Sequence, residues 1–225
     1  MKTKLRTIFF GVIGLAIGWH LLNYSLVEAP TACTLENLAA VIAEDTTLQV
    51  VKAKWFPVQH CLVKGYITTT NPGPNRVNFR LQLPAKQNWN GRYYFIGLGG
   101  AAGRTPILSE SPFGNPIVSG FAAAGTDTGH QPFLLNMLDW SFLSNEAQTL
   151  DHIHRGAHVS AVATQALTKA FYNADSLYRY HSGCSGGGRM GVMAAIHHPE
   201  DYDGLLIGAP GIDSTNIISF MWIAQ

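Results

Sequence analysis

The sequence predicts an α/β architecture: a mostly parallel sheet with helices on both faces, opened by antiparallel strands. Three observations carry this. A glycine-flanked serine, Gly183-Cys184-Ser185-Gly186-Gly187, stands between a strand-like run and a helix-like run. A second apolar run follows that helix and completes a βαβ unit. Further upstream, an apolar run ends in a loop of four glycines between Gly97 and Gly103, as a buried strand does when it reaches a functional loop.

Taken in order, Leu35, Leu38, Ala39, Val41 and Ile42 mark a short helix with Thr34 as its N-cap. Residues 48–51, 61–68 and 77–83 read as strands, the last alternating cleanly between apolar and polar side chains. The turn cluster at 71–75 joins two of them into a hairpin, so the sheet begins antiparallel. Residues 92–97 form the strand that enters the glycine loop. Residues 117–124 read as the next strand, ending at Gly125-Thr126-Asp127-Thr128-Gly129-His130. Residues 151–172, with His152, His154, His158, Val162, Leu167 and Phe171, read as a long and only loosely amphipathic helix. Residues 176–180 are a short aromatic strand, and Met190, Val192, Met193, Ala194, Ala195 and Ile196 form a compact apolar helix. His197-His198-Pro199 closes that helix, because the residue before proline is pushed out of the helical region. Residues 203–210 then read as a buried parallel strand.

Composition narrows the function. With 47% hydrophobic residues, 13% charged residues and a net charge of +1, the chain suits a globular protein with a sizeable core and no nucleic-acid partner. The N-terminus differs in kind. Lys2, Lys4 and Arg6 precede the apolar run 8–17, and Val27-Glu28-Ala29 places small residues where a signal peptidase reads. Residues 1–29 are therefore expected to be a signal peptide, or failing cleavage a membrane anchor, with a secreted or periplasmic product in residues 30–225. The apolar run is shorter than the roughly 20 residues that comfortably span a bilayer. In an oxidising compartment two of the three cysteines can pair. A Cys33–Cys61 bridge is expected, the alternative being two buried free thiols.

The serine motif is where chemistry concentrates. A strand-to-helix turn tight enough to present a nucleophile leaves no room for side chains beside it, so Gly183 and Gly187 fit Ser185 as the attacking residue. An acyl-transfer enzyme also needs donors for the oxyanion. The N–H of Gly186 would supply one, and Gly99, Gly100 or Ala101 the other; Gly100 is the working assignment. Phosphate binding is the competing use of such a loop, but the sequence has neither a G-K-[ST] nor a G-x-G-x-x-G followed by a helix and an acidic residue. Asp127 and His130 end a strand near the expected cleft, where backbone-holding roles are the expectation. His154 and His158, four apart, could share a metal, yet no third ligand is evident and no metal is expected. Arg189 is a motif residue whose role stays open between packing and a salt bridge.

The stretch from Gly183 to Pro210, with Arg189, Pro199-Glu200-Asp201-Tyr202-Asp203-Gly204 and Gly208-Ala209-Pro210, resembles the tannase and feruloyl esterase family of α/β-hydrolases. Cys61-Leu62-Val63-Lys64-Gly65, Leu83-Pro84, Trp89-Asn90-Gly91-Arg92, the 97–103 glycine loop and Gly125-Thr126-Asp127-Thr128-Gly129-His130 fall in that family's order. The resemblance implies a serine carboxylesterase acting on small aromatic esters of gallate or hydroxycinnamate type, without a cofactor. It implies a disulfide from the cysteine before the serine, here Cys184, to a cysteine beside the catalytic histidine, for which this chain has no partner. It also implies a later lid that would carry any structural calcium.

In α/β-hydrolases the triad runs serine, acid, histidine, and Ser185 is followed by 40 residues. His197, His198, Asp201, Asp203 and Asp213 are placed at helix-end or turn positions, so none is expected to serve. The chain is thus expected to be the front part of an esterase; an inactive fragment and a noncatalytic ligand-binding protein on the same scaffold are the alternatives. The apolar run 218–225 favours truncation. Oligomeric state is not readable.

Overall fold

The structure is a computed structural model that describes residues 30–43, 47–56, 60–111, 114–132 and 139–213. The N-terminal segment 1–29 and the run 218–225 lie outside the described residues. A seven-stranded mixed sheet is built from β1 (Leu48–Phe56), β2 (His60–Thr69), β3 (Asn75–Pro84), β4 (Arg92–Gly97), β5 (Ala122–Thr126), β6 (Tyr178–Cys184) and β7 (Gly204–Gly208). Its order is β1-β2-β3-β5-β4-β6-β7. The first four neighbours pair antiparallel, and β5, β4, β6 and β7 pair parallel. The expected architecture is therefore present, with its antiparallel opening.

Alternation explains the register of the hairpin. Val77, Phe79, Leu81 and Leu83 of β3 all point into the core and are at most 1% exposed, because a two-residue period sends one set of side chains to one face. They join Cys61, Val63 and Ile67 of β2 in the main core cluster. Cys33 is bonded to Cys61 across 28 residues, as expected. This ties the short helix α1 (Leu35–Ala39), capped by Thr34 Oγ1 accepting from the Asn37 N–H at 3.2 Å, to the sheet.

Among the described residues three further α-helices complete the layers: α2 (Glu146–Leu150), α3 (Gly156–Tyr172) and α4 (Gly186–His197). A π-helical turn, Asp151–Arg155, joins α2 to α3, so the expected helix begins earlier than residue 151 and carries a bulge. The bulge is anchored. Asp151, fully buried, accepts from Thr69 Oγ1 at 2.8 Å and Asn75 Nδ2 at 2.7 Å. Arg155 pairs with Asp151 at 2.5 Å and donates to the Thr70, Asn71 and Pro72 carbonyls. The helix is thereby bolted to the β2–β3 turn.

Three sequence expectations need correction. The first helix stops at Ala39 and leaves Ile42 90% exposed, since Val41 already turns back to the Leu38 carbonyl. Residues 117–121 are a turn, not strand. Asn115 Oδ1 accepts from Ile117 N–H, Phe121 N–H reaches Pro116 O, and Gly120 takes φ +81°. Asn-Pro turn chemistry overrides the apolar pattern. Finally β7 is parallel but not buried: it forms one edge of the described sheet, and Leu206 is 52% exposed.

Candidate active site

β6 ends at Cys184 and α4 starts at Gly186, leaving Ser185 alone at the turn with φ +56° and ψ −116°. That backbone region is costly for a residue with a Cβ and persists only when its surroundings impose it. Three backbone bonds impose it here: Ser185 N–H to Gly208 O at 3.0 Å, Arg189 N–H to Ser185 O at 2.9 Å, and Gly211 N–H to Ser185 O at 3.2 Å. The end of β7 thus latches the turn. Ser185 and Cys184 are both exposed, and Cys184 is a free thiol.

Glycine is required around the turn by close approach. A Cβ on Gly183 would stand 2.5 Å from the carbonyl carbon and oxygen of Gly187 and 2.8 Å from its Cα. One on Gly186 would fall inside the Gly100 carbonyl oxygen, with the Gly100 nitrogen 3.2 Å away. The 97–103 loop therefore lies directly on the first turn of α4, and Leu98, Ala102 and Met190 form a small buried cluster between them. The Gly186 N–H sits in a first helical turn, where amides have no intrahelical partner and the helix dipole presents partial positive charge. The structure thus brings Ser185, Gly186 and Gly100 together.

Two residues that hold this assembly were not singled out in the sequence. His181 is buried on β6, and its Nε2 lies 2.9 Å from Gly187 O. A carbonyl only accepts, so the proton is on Nε2. Burial pushes its pKa down to about 4, which keeps the ring neutral. His152, in the π-turn, takes a hydrogen bond from Arg189 Nη2 at 2.7 Å on its Nε2. Its Nδ1 must then carry the proton and donate to Thr128 Oγ1 at 3.2 Å, and that hydroxyl donates to Asp127 O at 2.7 Å. Burial, and then the Arg189 guanidinium, push the His152 pKa down to about 2.

Arg189 also donates to the His152 and Ile153 carbonyls at 3.0–3.1 Å, so it ties α4 to the π-turn through backbone oxygens. Burial lowers its own pKa to about 10. The only sequence signals for these roles are a histidine directly after a short aromatic strand and a basic residue in the first turn of an apolar helix. Neither names its partner.

The remaining sequence candidates separate cleanly. Asp127 holds the loop after β5, accepting from the Asn78 and Gly129 amides at 2.9 and 3.0 Å and from Asn78 Nδ2 at 2.5 Å. Burial raises its pKa to about 6. His130 packs on Phe142 at 4.1 Å, and burial lowers its pKa to about 4. Among the described residues no side chain bonds to Ser185 Oγ. His197 ends α4 and His198 caps it, roughly 18 Å along the axis from the serine at 1.5 Å per residue. Asp201 bonds to His158, and Asp203 pairs with Arg179 at 2.8 Å. Asp213 stands two residues beyond Gly211. A cavity of about 490 Å³ lies along the sheet between Tyr94, Phe121, Tyr180, Leu205 and Leu206, but Ser185 does not line it.

A sequence profile of the family described as "Tannase and feruloyl esterase" matches residues 61–224. A probable feruloyl esterase B-2 of Aspergillus flavus is 32% identical over 163 residues, covering 72% of this chain and 29% of that protein. Feruloyl esterase B of Aspergillus niger is 34% identical over 141 residues, covering 61% and 26%. Among solved structures, feruloyl esterase B from Aspergillus oryzae superposes with TM-score 0.63 at 23% identity, covering 83% of this chain and 39% of that one. Tannin acyl hydrolase from Aspergillus niger gives 0.60 at 21%, covering 80% and 37%. The chain spans less than a third of the length of these two curated relatives.

Proposed function

This chain belongs to the tannase and feruloyl esterase family and has the α/β-hydrolase fold, and from that premise we propose that Ser185 is the nucleophile of a carboxylic ester hydrolase. The observation that carries the reading is the strained φ of an exposed serine on a strand-to-helix turn, packed beneath a glycine loop.

Ser185 Oγ attacks the ester carbonyl carbon while its proton passes to a base, which lies outside the described residues. The carbonyl oxygen becomes an oxyanion held by the Gly186 N–H and by a second N–H of the 99–101 loop, with Gly100 the first choice. Collapse expels the alcohol, which takes the proton, and leaves an acyl-serine that water hydrolyses. This chemistry requires no cofactor. The substrates are esters of aromatic acids of gallate or hydroxycinnamate type, supported by the family's description and the relatives' names. The disulfide and the N-terminal layout support export, with Pro30 as the first mature residue. No described helix is long and apolar enough to cross a membrane.

Hydrolysis of methyl ferulate and methyl gallate by the longest polypeptide expressed from the source locus, against its Ser185→Ala variant, tests the reading. Turnover is expected to fall by about 10³-fold or more in the variant. The 225-residue chain alone is expected to hydrolyse neither ester above that variant's background. Turnover untouched by Ser185→Ala, or ligand binding with no turnover in the longest polypeptide, overturns it.

A further inference from the structure

We propose that His158, His198 and Glu200 form a binding site for a divalent transition metal of the zinc class, clamping α3 to the connection between α4 and β7. The site is at the opposite end of α4 from Ser185 and does not rest on the hydrolase reading. His158 projects from the first turn of α3, His198 caps α4, and Glu200 sits on the short 3-10 turn Pro199–Asp201. Each offers a ligand atom, and these atoms all lie within 4.8 Å of one another. A spacing of four in one helix suggested His154 with His158. The fold instead recruits the partners from a segment some forty residues away.

An independent observation points to a ligand. The Asp201 carboxylate, 4% exposed, accepts from His158 Nδ1 at 2.9 and 3.1 Å, and Gln165 Nε2 holds the Asp201 carbonyl at 2.9 Å. This puts the His158 proton on Nδ1 and leaves the Nε2 lone pair for coordination, as second-sphere carboxylates do for metal-bound histidines. His154 stands at the rim, its Nδ1 3.3 Å from His198 Nε2. Three protein ligands leave a fourth tetrahedral position to water.

His158 and His198 stack with centroids 3.7 Å apart and planes 10° from parallel, and in-plane lone pairs converge on one ion only if one ring turns. His198 is partly exposed and Glu200 is exposed, so both can close on the cation. Two carboxylates, Glu200 and Asp201, favour positive charge there. Imidazole nitrogens with one carboxylate oxygen select zinc, cobalt, nickel or copper over magnesium or calcium.

The test titrates Zn²⁺ alone into the 225-residue chain carrying Cys184→Ser, which removes the exposed thiol, using calorimetry with Co²⁺ absorption as a second readout. One saturable equivalent is expected, not displaced by Mg²⁺ or Ca²⁺. Affinity should fall about tenfold or more in His198→Asn and in Glu200→Gln, and about 10- to 100-fold in Asp201→Asn. Should Asp201→Asn fail to fold, the two surface variants decide. Absence of a saturable equivalent, or unchanged affinity in His198→Asn and Glu200→Gln, overturns the site.

Discussion

Substituting Gly183 by alanine tests the packing argument for the serine turn most directly. The added Cβ would stand 2.5 Å from two atoms of the Gly187 peptide, whereas ordinary contact begins near 3.4 Å, so about 0.9 Å must be found by moving backbone. No side chain can swing away. α4 is held by its bond to the β6–α4 turn and by Arg189, and β6 is fixed between β4 and β7. Overpacking of this kind costs about 1–3 kcal/mol, and an unyielding site belongs at the upper end. Replacing glycine inside a strand returns roughly 0.5–1 kcal/mol. The clash wins, and a net loss of about 2 kcal/mol is expected. For a chain of this length that lowers Tm by about 4–8 °C. Gly99→Ala is the control in the facing loop, because its Cβ meets only Cys184 O at 3.7 Å and the substitution should be neutral or stabilising by up to about 1 kcal/mol. Thermal unfolding of both variants followed by circular dichroism reads the difference. A Gly183→Ala Tm equal to or above that of Gly99→Ala would refute the reasoning.

Removing the bridge with Cys33→Ser and Cys61→Ser opens a loop of 28 residues and should cost about 3–4 kcal/mol in urea unfolding by the chain-entropy relation; an unchanged midpoint would contradict it. Stability should also depend on pH. His130, His152 and His181 are held neutral at pKa values of about 4, 2 and 4, below the ordinary 6.5. The unfolded chain therefore binds more protons below pH 6.5, and stability is lost as pH falls from 6.5 towards 4. Asp127, raised to about 6, works oppositely between pH 4 and 6, but three imidazoles outweigh one carboxyl. A urea midpoint at pH 4.5 equal to that at pH 7 would count against these assignments. Arg189→Met leaves the His152 and Ile153 carbonyls without this donor and should cost about 1–3 kcal/mol. It also removes the cation facing His152, so the imidazole pKa followed by NMR should rise; no movement would argue against the contact.

Local pattern was sufficient for much of this molecule. The alternation in β3, the apolar run of β4 and the glycine-serine turn before α4 are written in consecutive residues, since strand period and steric exclusion at a tight turn act over a few positions. Where a second local signal competed, the apolar pattern misled: Asn115-Pro116 converts 117–121 into a turn. Burial of β7 is not legible in the sequence for a different cause, because a run of Leu and Ile has the same composition at the edge of a sheet as at its centre.

Partners separated by tens of residues were another matter. That Arg189 serves carbonyls of the π-turn, that His181 supports Gly187, that Asp151 bolts a helix to a hairpin and that His158 meets His198 are consequences of chain crossings. Each histidine or aspartate alone is compatible with a surface, a core or a site. From consecutive residues come the strands, the turn that strains Ser185 and the layered architecture; which polar groups find one another follows only from the folded chain, because burial makes an unpaired hydrogen-bonding group costly and the partner it finds is whichever group the topology delivers.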